Sequence, residues 1–440
     1  MAQSEPATRP IEPLFPMPAG SPRGLAPEQI AVHQRQRLEA AMVEAVARHG
    51  YAGTTLRELV RIAGVSKSTF YDHFESKRGC FQETFHEIVA QVAQRVTAAY
   101  REDGDHRQRL AAAVGAFMEL IAREPQAATL AIVESLSLGR AGLPDRERAS
   151  EVFEVILRET FEASRSRRQV SPITTRVIAA GFRAVAYKRL RAGEAEALPE
   201  LVDELVDWAL GYQSAETAPL RSARAAAAKP RPEAAEPADE LGWSEPPDSP
   251  RSRSQLGQRE RIVRAAAQLV VDRGFENLSI PAISATAGTS NQTFYENFDS
   301  KRDAVVEAFD LRAAEAFAAA DRAFRAEDGP FEGFGAATRA LLEYIAGNEL
   351  FALLAFFDLQ TAGPPALDRA DAAINRFTAP LRNDAPGGIG GSAPGCVVEA
   401  IGGGCWFAIQ HDLARGNASS LPERAPELAR IALLPVAAPR

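Results

Sequence analysis

The sequence contains one short stretch twice. Residues 64–78 read GVSKSTFYDHFESKR and residues 288–302 read GTSNQTFYENFDSKR, without a gap and at an offset of 224 positions. Each copy completes a segment whose apolar spacing predicts two short helices joined at a glycine, which accepts the backbone conformation of a sharp turn. We therefore predict two helix-turn-helix heads, one in each half of the chain.

The repeat continues beyond these heads. Gly50-Tyr51 corresponds to Gly274-Phe275, and Ala131-Ile132-Val133-Glu134 corresponds to Ala355-Phe356-Phe357-Asp358, at the same offset. The offset slips by one residue only near the end of each half. A nearly gapless match of this extent indicates the duplication of a whole subunit, and two copies are too few for a solenoid.

Length and apolar patterning predict an all-α chain with several domains. The 440 residues, of which 46% are hydrophobic, suffice for several packed cores. Apolar residues recur at i, i+3 and i+4, the spacing of amphipathic helices, whereas two proline-rich stretches lack it. The predicted division is a disordered tail over 1–27, a head over 28–80, a helical domain over 81–212, a flexible linker over 213–257, a second head over 258–304 and a second helical domain over 305–434.

Composition and motifs argue against several classes of protein. The three cysteines and six histidines form no disulfide framework and no metal-ligand spacing, so we expect no metal and no other cofactor. No nucleophile with a base and no paired carboxylates stand out, so we expect no enzyme. No apolar run approaches the ~18 residues of a membrane span, and the N-terminus lacks the pattern of a signal peptide. These features predict a reduced, cytoplasmic protein without a membrane partner.

The first head carries polar side chains suited to a DNA groove. Thr55 begins one helix with Glu58 three residues later, a capping-box pattern, and Ser66 can cap the next helix. Phe70 and Phe74, four residues apart, are expected to pack inward. The side chains predicted to contact bases and phosphates are Thr55, Ser66, Lys67, Ser68, Thr69, Tyr71, His73, Lys77 and Arg78.

These motifs resemble the TetR family of bacterial transcriptional regulators. The resemblance is carried by Thr55-Leu56, Ala63-Gly64-Val65-Ser66, Thr69-Phe70-Tyr71, His73-Phe74 and Ser76-Lys77. It implies a regulatory, ligand-binding and dimerisation domain after each head, a pocket for a small-molecule effector, a dimer built through the last two helices, and a double-stranded DNA operator as partner. The fusion of two subunits departs from the family's usual chain, so it leaves open whether pairing occurs within one chain or between two.

The two heads differ in charge. Residues 35–79 hold eight Lys/Arg and five Asp/Glu, a net charge of +3, whereas residues 259–303 hold six of each, a net charge of 0. Because DNA affinity depends largely on phosphate neutralisation, the first head should bind DNA better. The second head therefore either binds a different DNA site or has lost its DNA site. Its candidate contacts are Ser290, Asn291, Gln292, Thr293, Tyr295, Asn297 and Lys301, and an Asn or Gln side chain can read adenine.

Candidate pocket residues have two interpretations. Two acids recur at equivalent places in apolar helices, and several aromatic residues follow each head, so they could face a ligand. Hydrogen-bonded acids and ordinary core packing are the favoured interpretation of most of them. The candidates are Phe117, Glu134, Phe153, Phe182, Phe357, Asp358, Phe377 and Trp406, with Phe351 and Phe356 beside them. Gly402-Gly403-Gly404 follows no strand, so it indicates close helix packing rather than a phosphate loop.

The pattern predicts a ligand-responsive transcriptional regulator, a repressor in our interpretation, whose two halves pair within one chain as a pseudo-dimer. Unpaired, the final helices of each half would leave apolar faces in water. A coil of the predicted linker's length has an end-to-end distance of roughly 35–40 Å. One alternative is a protein with one working head and a structural second half. The other is a ligand-binding or protein-binding scaffold that no longer binds DNA.

Overall fold

The computed structural model describes residues 15–18, 26–164, 170–212, 250–382, 389 and 393–437, and within these ranges every regular element is helical. The all-α prediction is confirmed. The predicted tail lies outside the described residues except for 15–18 and the start of the first helix. Residues 213–249 of the predicted linker also lie outside them.

The first half contains nine α-helices among its described residues: α1 (Pro27–Gly53), α2 (Leu56–Ala63), α3 (Lys67–His73), α4 (Lys77–Tyr100), α5 (His106–Arg123), α6 (Pro125–Ala128), α7 (Leu143–Glu162), α8 (Pro172–Ala192) and α9 (Val202–Leu210). Between α6 and α7 the chain forms a π-helical turn over Thr129–Val133 and a 3-10 segment over Glu134–Gly142. A further 3-10 segment over Ala195–Leu201 leads into α9.

The second half repeats this order: α10 (Pro250–Arg273), α11 (Ile280–Ala287), α12 (Asn291–Asn297), α13 (Lys301–Ala326), α14 (Pro330–Gly347), α15 (Glu349–Leu353), α16 (Pro364–Thr378), α17 (Gly395–Ala414) and α18 (Ala425–Ala437). A π-helical turn over Leu354–Asp358 and 3-10 segments over Leu359–Ala362, Ala379–Leu381 and Ala418–Arg424 connect them. Because α10 begins at Pro250, the last eight residues predicted as linker are helical. Proline suits the first turn of a helix, which explains the early start. The other domain boundaries stay predictions.

The chain divides into two compact units that do not follow the sequence repeat. One unit comprises residues 1–102, 112–135 and 186–200, and the other comprises residues 103–111, 136–185 and 201–440. The second unit therefore contains α7, most of α8 and all of α9 from the first half, together with the whole second half.

Within this second unit, α8 of the first half and α17 of the second half approach each other at their backbones. A Cβ atom added to Gly403 would lie 2.2 Å from Cβ of Ala184, and one added to Gly404 would lie 2.3 Å from the carbonyl oxygen of Val177. No side chain fits in these spaces. The close packing predicted for the glycine run is confirmed.

A second contact joins α9 to α18. The indole of Trp208 donates a hydrogen bond to the hydroxyl of Tyr212 at 2.8 Å, and that hydroxyl donates to the carbonyl of Ile431 at 2.8 Å. Burial raises the pKa of Tyr212, so its hydroxyl remains a donor. On the other side, Phe153, Phe182 and Trp208 pack edge to face with ring centroids 5.5 and 6.1 Å apart.

The glycine contact predicts that Gly404→Val will destabilise the protein by about 1–3 kcal/mol, because an added side chain overpacks the crossing of α8 and α17. Urea unfolding followed by circular dichroism measures this. Gly335→Ala is the control, since an added Cβ there meets nothing within 4 Å. It should stabilise α14 by up to about 1 kcal/mol. Equal effects of the two changes would contradict the close-packing account.

Candidate nucleic-acid interface and ligand cavity

Both heads have the same local geometry because the same types of residue begin and end their helices. Ser66 Oγ accepts a hydrogen bond from the amide of Thr69 at 3.0 Å, and Ser290 does the same for Thr293 at 3.0 Å. The turn glycines, Gly64 and Gly288, have φ angles of 62° and 63°, a left-handed conformation that favours glycine. Thr55 caps α2 by accepting from the amide of Glu58 at 3.3 Å.

Helix α3 presents a polar, exposed surface beside this cap. Lys67 and Ser68 are exposed, and Tyr71 is 53% exposed although Phe70 next to it is fully buried. The ammonium of Lys67 lies 5.9 Å from the centre of the Tyr71 ring. Thr69 is half-buried, and its hydroxyl lies 2.9 Å from that of Ser66. The buried aromatic residue fixes the helix, and the exposed residues remain available to DNA.

Two other predicted DNA contacts have structural partners. Lys77 donates to the carbonyls of Tyr51 at 2.9 Å and Thr54 at 3.0 Å, so its ammonium caps the end of α1. His73 is half-buried, and its Nε2 lies 3.2 Å from Oε1 of Gln34. Both side chains hold the head together, which spacing along the sequence could not reveal. Their role as groove or phosphate contacts stays a prediction.

The second head shows the same division of roles. Asn291 and Gln292 are exposed and Tyr295 is 59% exposed, but Gln292 donates to Glu296 at 3.0 Å. Asn297 bonds back to the carbonyl of Thr293 at 2.7 Å. Lys301 donates to the carbonyls of Phe275 at 2.9 Å and Leu278 at 2.7 Å, in the loop between α10 and α11, much as Lys77 does in the first head.

The heads differ mainly in exposed positive charge. Arg78 is exposed, whereas its counterpart Arg302 is half-buried and donates to the carbonyl of Ala362 at 2.6 Å. Two exposed cations on α2, Arg57 and Arg61, were not among the predicted DNA contacts. Pro281 and Ala285 replace them in the second head. A comparison of the two copies position by position would have found them.

The recurring acids, Glu134 and Asp358, lie outside the linings of the cavities described below and form structural links. The carboxylate of Glu134 accepts a hydrogen bond from the amide of Tyr51 at 2.7 Å, just after the kink at Gly50. Burial raises its pKa above the ordinary value, and the Tyr51 bond opposes this. Glu134 therefore links the helical domain to the end of α1 in its head.

Asp358 makes the corresponding link through an arginine. It is 6% exposed and forms an ion pair with Arg140 of the first half, which also donates to the carbonyl of Val271 near the end of α10 at 3.0 Å. Burial raises the pKa of Asp358 although Arg140 lowers it. Arg140 was missed because Pro364 occupies its place in the second copy.

A wholly apolar cavity lies in the second helical domain. It has a volume of about 60 Å³ and is surrounded by α13, α14, α16, α17 and their neighbours. The rings of Phe356 and Trp406 stack in its wall with centroids 4.1 Å apart. Burial raises the pKa of the Cys405 thiol to about 12, so this group remains uncharged. The cavity therefore suits an apolar molecule.

The predicted pocket residues divide between this cavity and the protein core. Phe377, Trp406, Phe351 and Phe356 line the cavity. Phe117, Phe153, Phe182 and Phe357 are buried elsewhere. Sequence periodicity could not separate these groups, because a cavity wall and a filled core have the same apolar pattern.

A second cavity shares part of this wall and has a charged rim. Phe317, Thr338, Leu341 and Phe377 line both cavities. In the second cavity Arg376 pairs with Asp321 at 3.1 Å, and its guanidinium carbon lies 4.8 Å from the centre of the Phe317 ring.

No group of His, Cys, Asp or Glu residues suited to a metal ion occurs among the described residues. In the same part of the chain no single helix is long and apolar enough to cross a membrane. Pro330–Gly347 and Glu349–Ala362 reach the required length and composition only when joined across a 101° bend.

Comparison with known proteins identifies both heads. The model of bacterial regulatory proteins of the tetR family matches residues 38–84 and 262–308. The HTH-type transcriptional activator FasR of Mycolicibacterium smegmatis is 31% identical over 140 residues, which is 30% of this chain and 64% of the relative. The fatty acid metabolism regulator protein of Bacillus subtilis is 27% identical over 113 residues, 26% of this chain and 57% of the relative. The chain thus spans less than two thirds of each curated relative.

Solved structures show similarity to part of the chain. The regulator FadR from Bacillus subtilis, solved in complex with stearoyl-CoA, matches with a TM-score of 0.36 and 18% identity, over 39% of this chain and 96% of that chain. FadR from Bacillus halodurans matches with a TM-score of 0.38 and 17% identity, over 43% of this chain and 97% of that one.

The charge difference between the heads predicts unequal effects of matched changes. Lys67→Ala should lower the slope of log affinity against log salt concentration by about 0.9, the value for one lost phosphate contact. Asn291→Ala, at the equivalent place, should leave the slope unchanged, and Asn291→Lys should raise it. Fluorescence anisotropy with labelled operator DNA at several salt concentrations measures these slopes. Equal losses from the two alanine variants would contradict the asymmetry.

The Arg140 pair predicts a change in the pH dependence of stability. The raised pKa of Asp358 means that its ionisation costs stability as pH rises from the ordinary value of 3.8. Arg140→Ala should extend this loss to higher pH and cost about 1–3 kcal/mol at neutral pH, because the buried acid loses its partner. Adding Asp358→Asn should remove the extra pH dependence. Thermal unfolding from pH 4 to 8 tests both, and identical profiles for the wild type and Arg140→Ala would refute the link.

Proposed function

We propose that this chain, which belongs to the tetR family and carries its DNA-binding domain twice, is a transcriptional repressor whose operator binding is controlled by an apolar small molecule. The observation that carries the proposal is the pair of helix-turn-helix heads, in which α3 and α12 expose polar side chains, in a chain that also contains an apolar cavity. The curated relatives are transcription regulators, and a cytoplasmic location is part of the same proposal.

The DNA-binding part rests on the exposed side of the first head. Lys67, Arg78 and the two arginines of α2 are exposed next to the polar side chains of α3. In a helix-turn-helix protein the second helix enters the major groove while the first crosses the backbone. Cations in both places neutralise phosphates on either side of the groove.

The promoter region beside the coding sequence is the first DNA to test. A gel-shift assay with the full-length protein should show a specific complex that competitor DNA of unrelated sequence does not remove. A reporter gene under this promoter should be repressed by the protein. Activation would correct the direction of regulation, since one relative is an activator, and the absence of any specific complex would favour the scaffold alternative.

The ligand-binding part rests on the apolar cavity. Its walls carry no charged side chain, and the neighbouring cavity places Arg376 at its rim. This combination fits an apolar chain with an anionic end. The name of the Bacillus subtilis relative refers to fatty acid metabolism. We therefore propose a fatty acid or a fatty acyl derivative as the effector.

One short turn connects this cavity to the second head. The π-helical turn over Leu354–Asp358 carries Phe356 on the cavity wall and Asp358 in the ion pair with Arg140, which bonds to Val271 of α10. A ligand that displaces Phe356 acts on the same turn that holds the head. Ligand binding would thus favour a state in which the head is placed differently and DNA is released.

Palmitate and its coenzyme A thioester are the probes for this site. Either compound, at a concentration that saturates the effector site, should release the protein from operator DNA in the gel-shift assay. Ala373→Phe places a ring among the lining residues and should abolish release while DNA binding persists, whereas Ala372→Phe, at an exposed place on the same helix, should leave release unchanged. Release that survives Ala373→Phe would contradict this cavity as the effector site.

We also propose that the two halves pair within one chain. The contacts of α8 with α17 and of α9 with α18 support this, since they bury the final helices of both halves against each other. Because both halves belong to one chain, the effective concentration of the second half is expected near the millimolar range. The resulting pseudo-dimer would carry two different heads and would prefer an asymmetric operator.

Exchange between chains tests this pairing. When tagged and untagged chains are expressed together, affinity capture of the tag should recover tagged chain alone. Capture of the untagged chain in comparable amount would indicate pairing between chains.

The lower charge of the second head favours a second candidate function within the same class, in which only the first head binds DNA. The hydrogen bond of Arg302 to the carbonyl of Ala362 supports the same candidate.

A further inference from the structure

A third cavity, also in the larger unit, is polar and rich in arginine. It has a volume of about 130 Å³ and lies between α7 and α8 of the first half and α17 of the second half. Its charged lining residues are Arg146, Glu147, Glu151, Glu154, Arg176, Arg183, His411 and Arg415. The function proposed above makes no use of this cavity.

Arg183 is the residue that most needs explanation. Its Nη2 is inaccessible to solvent and has no hydrogen-bond acceptor among the described residues, and its guanidinium carbon lies 4.2 Å from the centre of the Phe407 ring. Burial and the nearby charge of Arg146 lower the pKa of Arg183 to about 9. A guanidinium nitrogen that is buried without an acceptor is costly for a folded protein.

Arg146 adds a like charge to the same cavity. It is 2% exposed and donates to the carbonyl of Gly139 at 3.1 Å. Burial lowers its pKa to about 10, although Asp145 and Glu147 oppose this. Two guanidinium groups from neighbouring helices therefore face one cavity.

The acids of the cavity are engaged elsewhere. Glu147 accepts from Arg415 at 3.0 Å and lies 2.7 Å from Nδ1 of His411. Glu154 lies 3.5 Å from Nε of Arg176, and Glu151 is exposed. Burial and the cations Arg176 and Arg415 lower the pKa of His411 despite its bond to Glu147. None of these acids compensates Arg183.

We propose that this cavity is an anion site that takes a phosphate group, free or as part of a phosphate ester, between Arg183 and Arg146. Planar guanidinium groups bind the oxygens of phosphate in pairs, and two of them from different helices suit its several oxygens better than a single carboxylate. The inference goes beyond effector control by an apolar chain. It rests on the proposed pairing, because α17 comes from the other half.

The site would join the two halves. A phosphate held by α7 and α8 on one side would also lie against Phe407, Gln410 and His411 of α17. Gln410 donates to the carbonyl of Phe356, whose ring lines the apolar cavity. Occupation of the anion site would thus stabilise the crossing of α8 and α17 next to the effector cavity.

Thermal unfolding of the full-length protein tests the site. Inorganic phosphate and glycerol 3-phosphate are titrated separately, with chloride and acetate at matched ionic strength as controls. We expect a saturable rise of the unfolding midpoint with phosphate, its ester or both, and the pattern identifies the source. No saturable rise with either, or the same rise with acetate, would overturn the proposal.

Variants separate binding from folding. Arg183→Gln should weaken phosphate binding on the order of 30-fold or more, as expected when one partner of a buried charged pair is removed. Without phosphate it should unfold at the same or a higher temperature than the wild type, because it removes an unpaired buried charge. Arg148→Gln, an exposed change on the same helix as Arg146, should keep the phosphate effect.

A second variant at Arg183 and the capture of tagged chains keep the phosphate site and the pairing separately testable. If Arg183→Gln does not fold, Arg183→Lys retains the charge but loses the paired hydrogen bonds, and it should also bind phosphate more weakly. An undiminished phosphate effect in the folded variant would refute the site. The capture of tagged chains reports pairing independently, so a loss of pairing and an absence of phosphate binding are distinguishable.

Discussion

The close approach of α8 and α17 is the constraint on which the larger unit depends. Gly403 and Gly404 leave no room for a side chain against Ala184 and the carbonyl of Val177, so the two helix backbones are in direct contact. The contact of α9 with α18, the pair of Arg140 with Asp358 and the anion cavity all join the same two halves. Residues from both halves of the duplication thereby pack together within the larger unit.

The halves have diverged where they are exposed and where they meet. Both heads keep the same caps, turn glycines and buried aromatic residues, because these determine the fold of each head. Three exposed cations of the first head, Arg57, Arg61 and Lys67, have uncharged counterparts in the second head. The links from each helical domain to its head also differ, since Glu134 binds a backbone amide directly whereas Asp358 needs an arginine. Divergence has thus changed the charge of the heads and the contacts that link each helical domain to its head. The caps, turn glycines and buried aromatic residues have persisted.

Local features were predictable from the sequence, and features that depend on distant partners were not. The caps at Thr55 and Ser66 and the turn at Gly64 follow from residues a few positions apart, so the heads were predicted correctly. The hydrogen bonds of Lys77 were not predictable, because its partners Tyr51 and Thr54 lie at the end of another helix. Arg140 and Arg183 gave no signal, since each acquires its role only when residues of the other half surround it. The cavity wall was identified in part, at Phe377 and Trp406.

The central claim is that one chain, through its two unequal heads, forms the complete DNA-binding unit. The most direct test is the mass of the protein bound to its operator, measured by light scattering during size-exclusion chromatography at low protein concentration. The account predicts one chain of 47.4 kDa for each operator duplex, with no second chain added as the protein concentration rises. A complex that contains two chains on every duplex, at all concentrations, would contradict it.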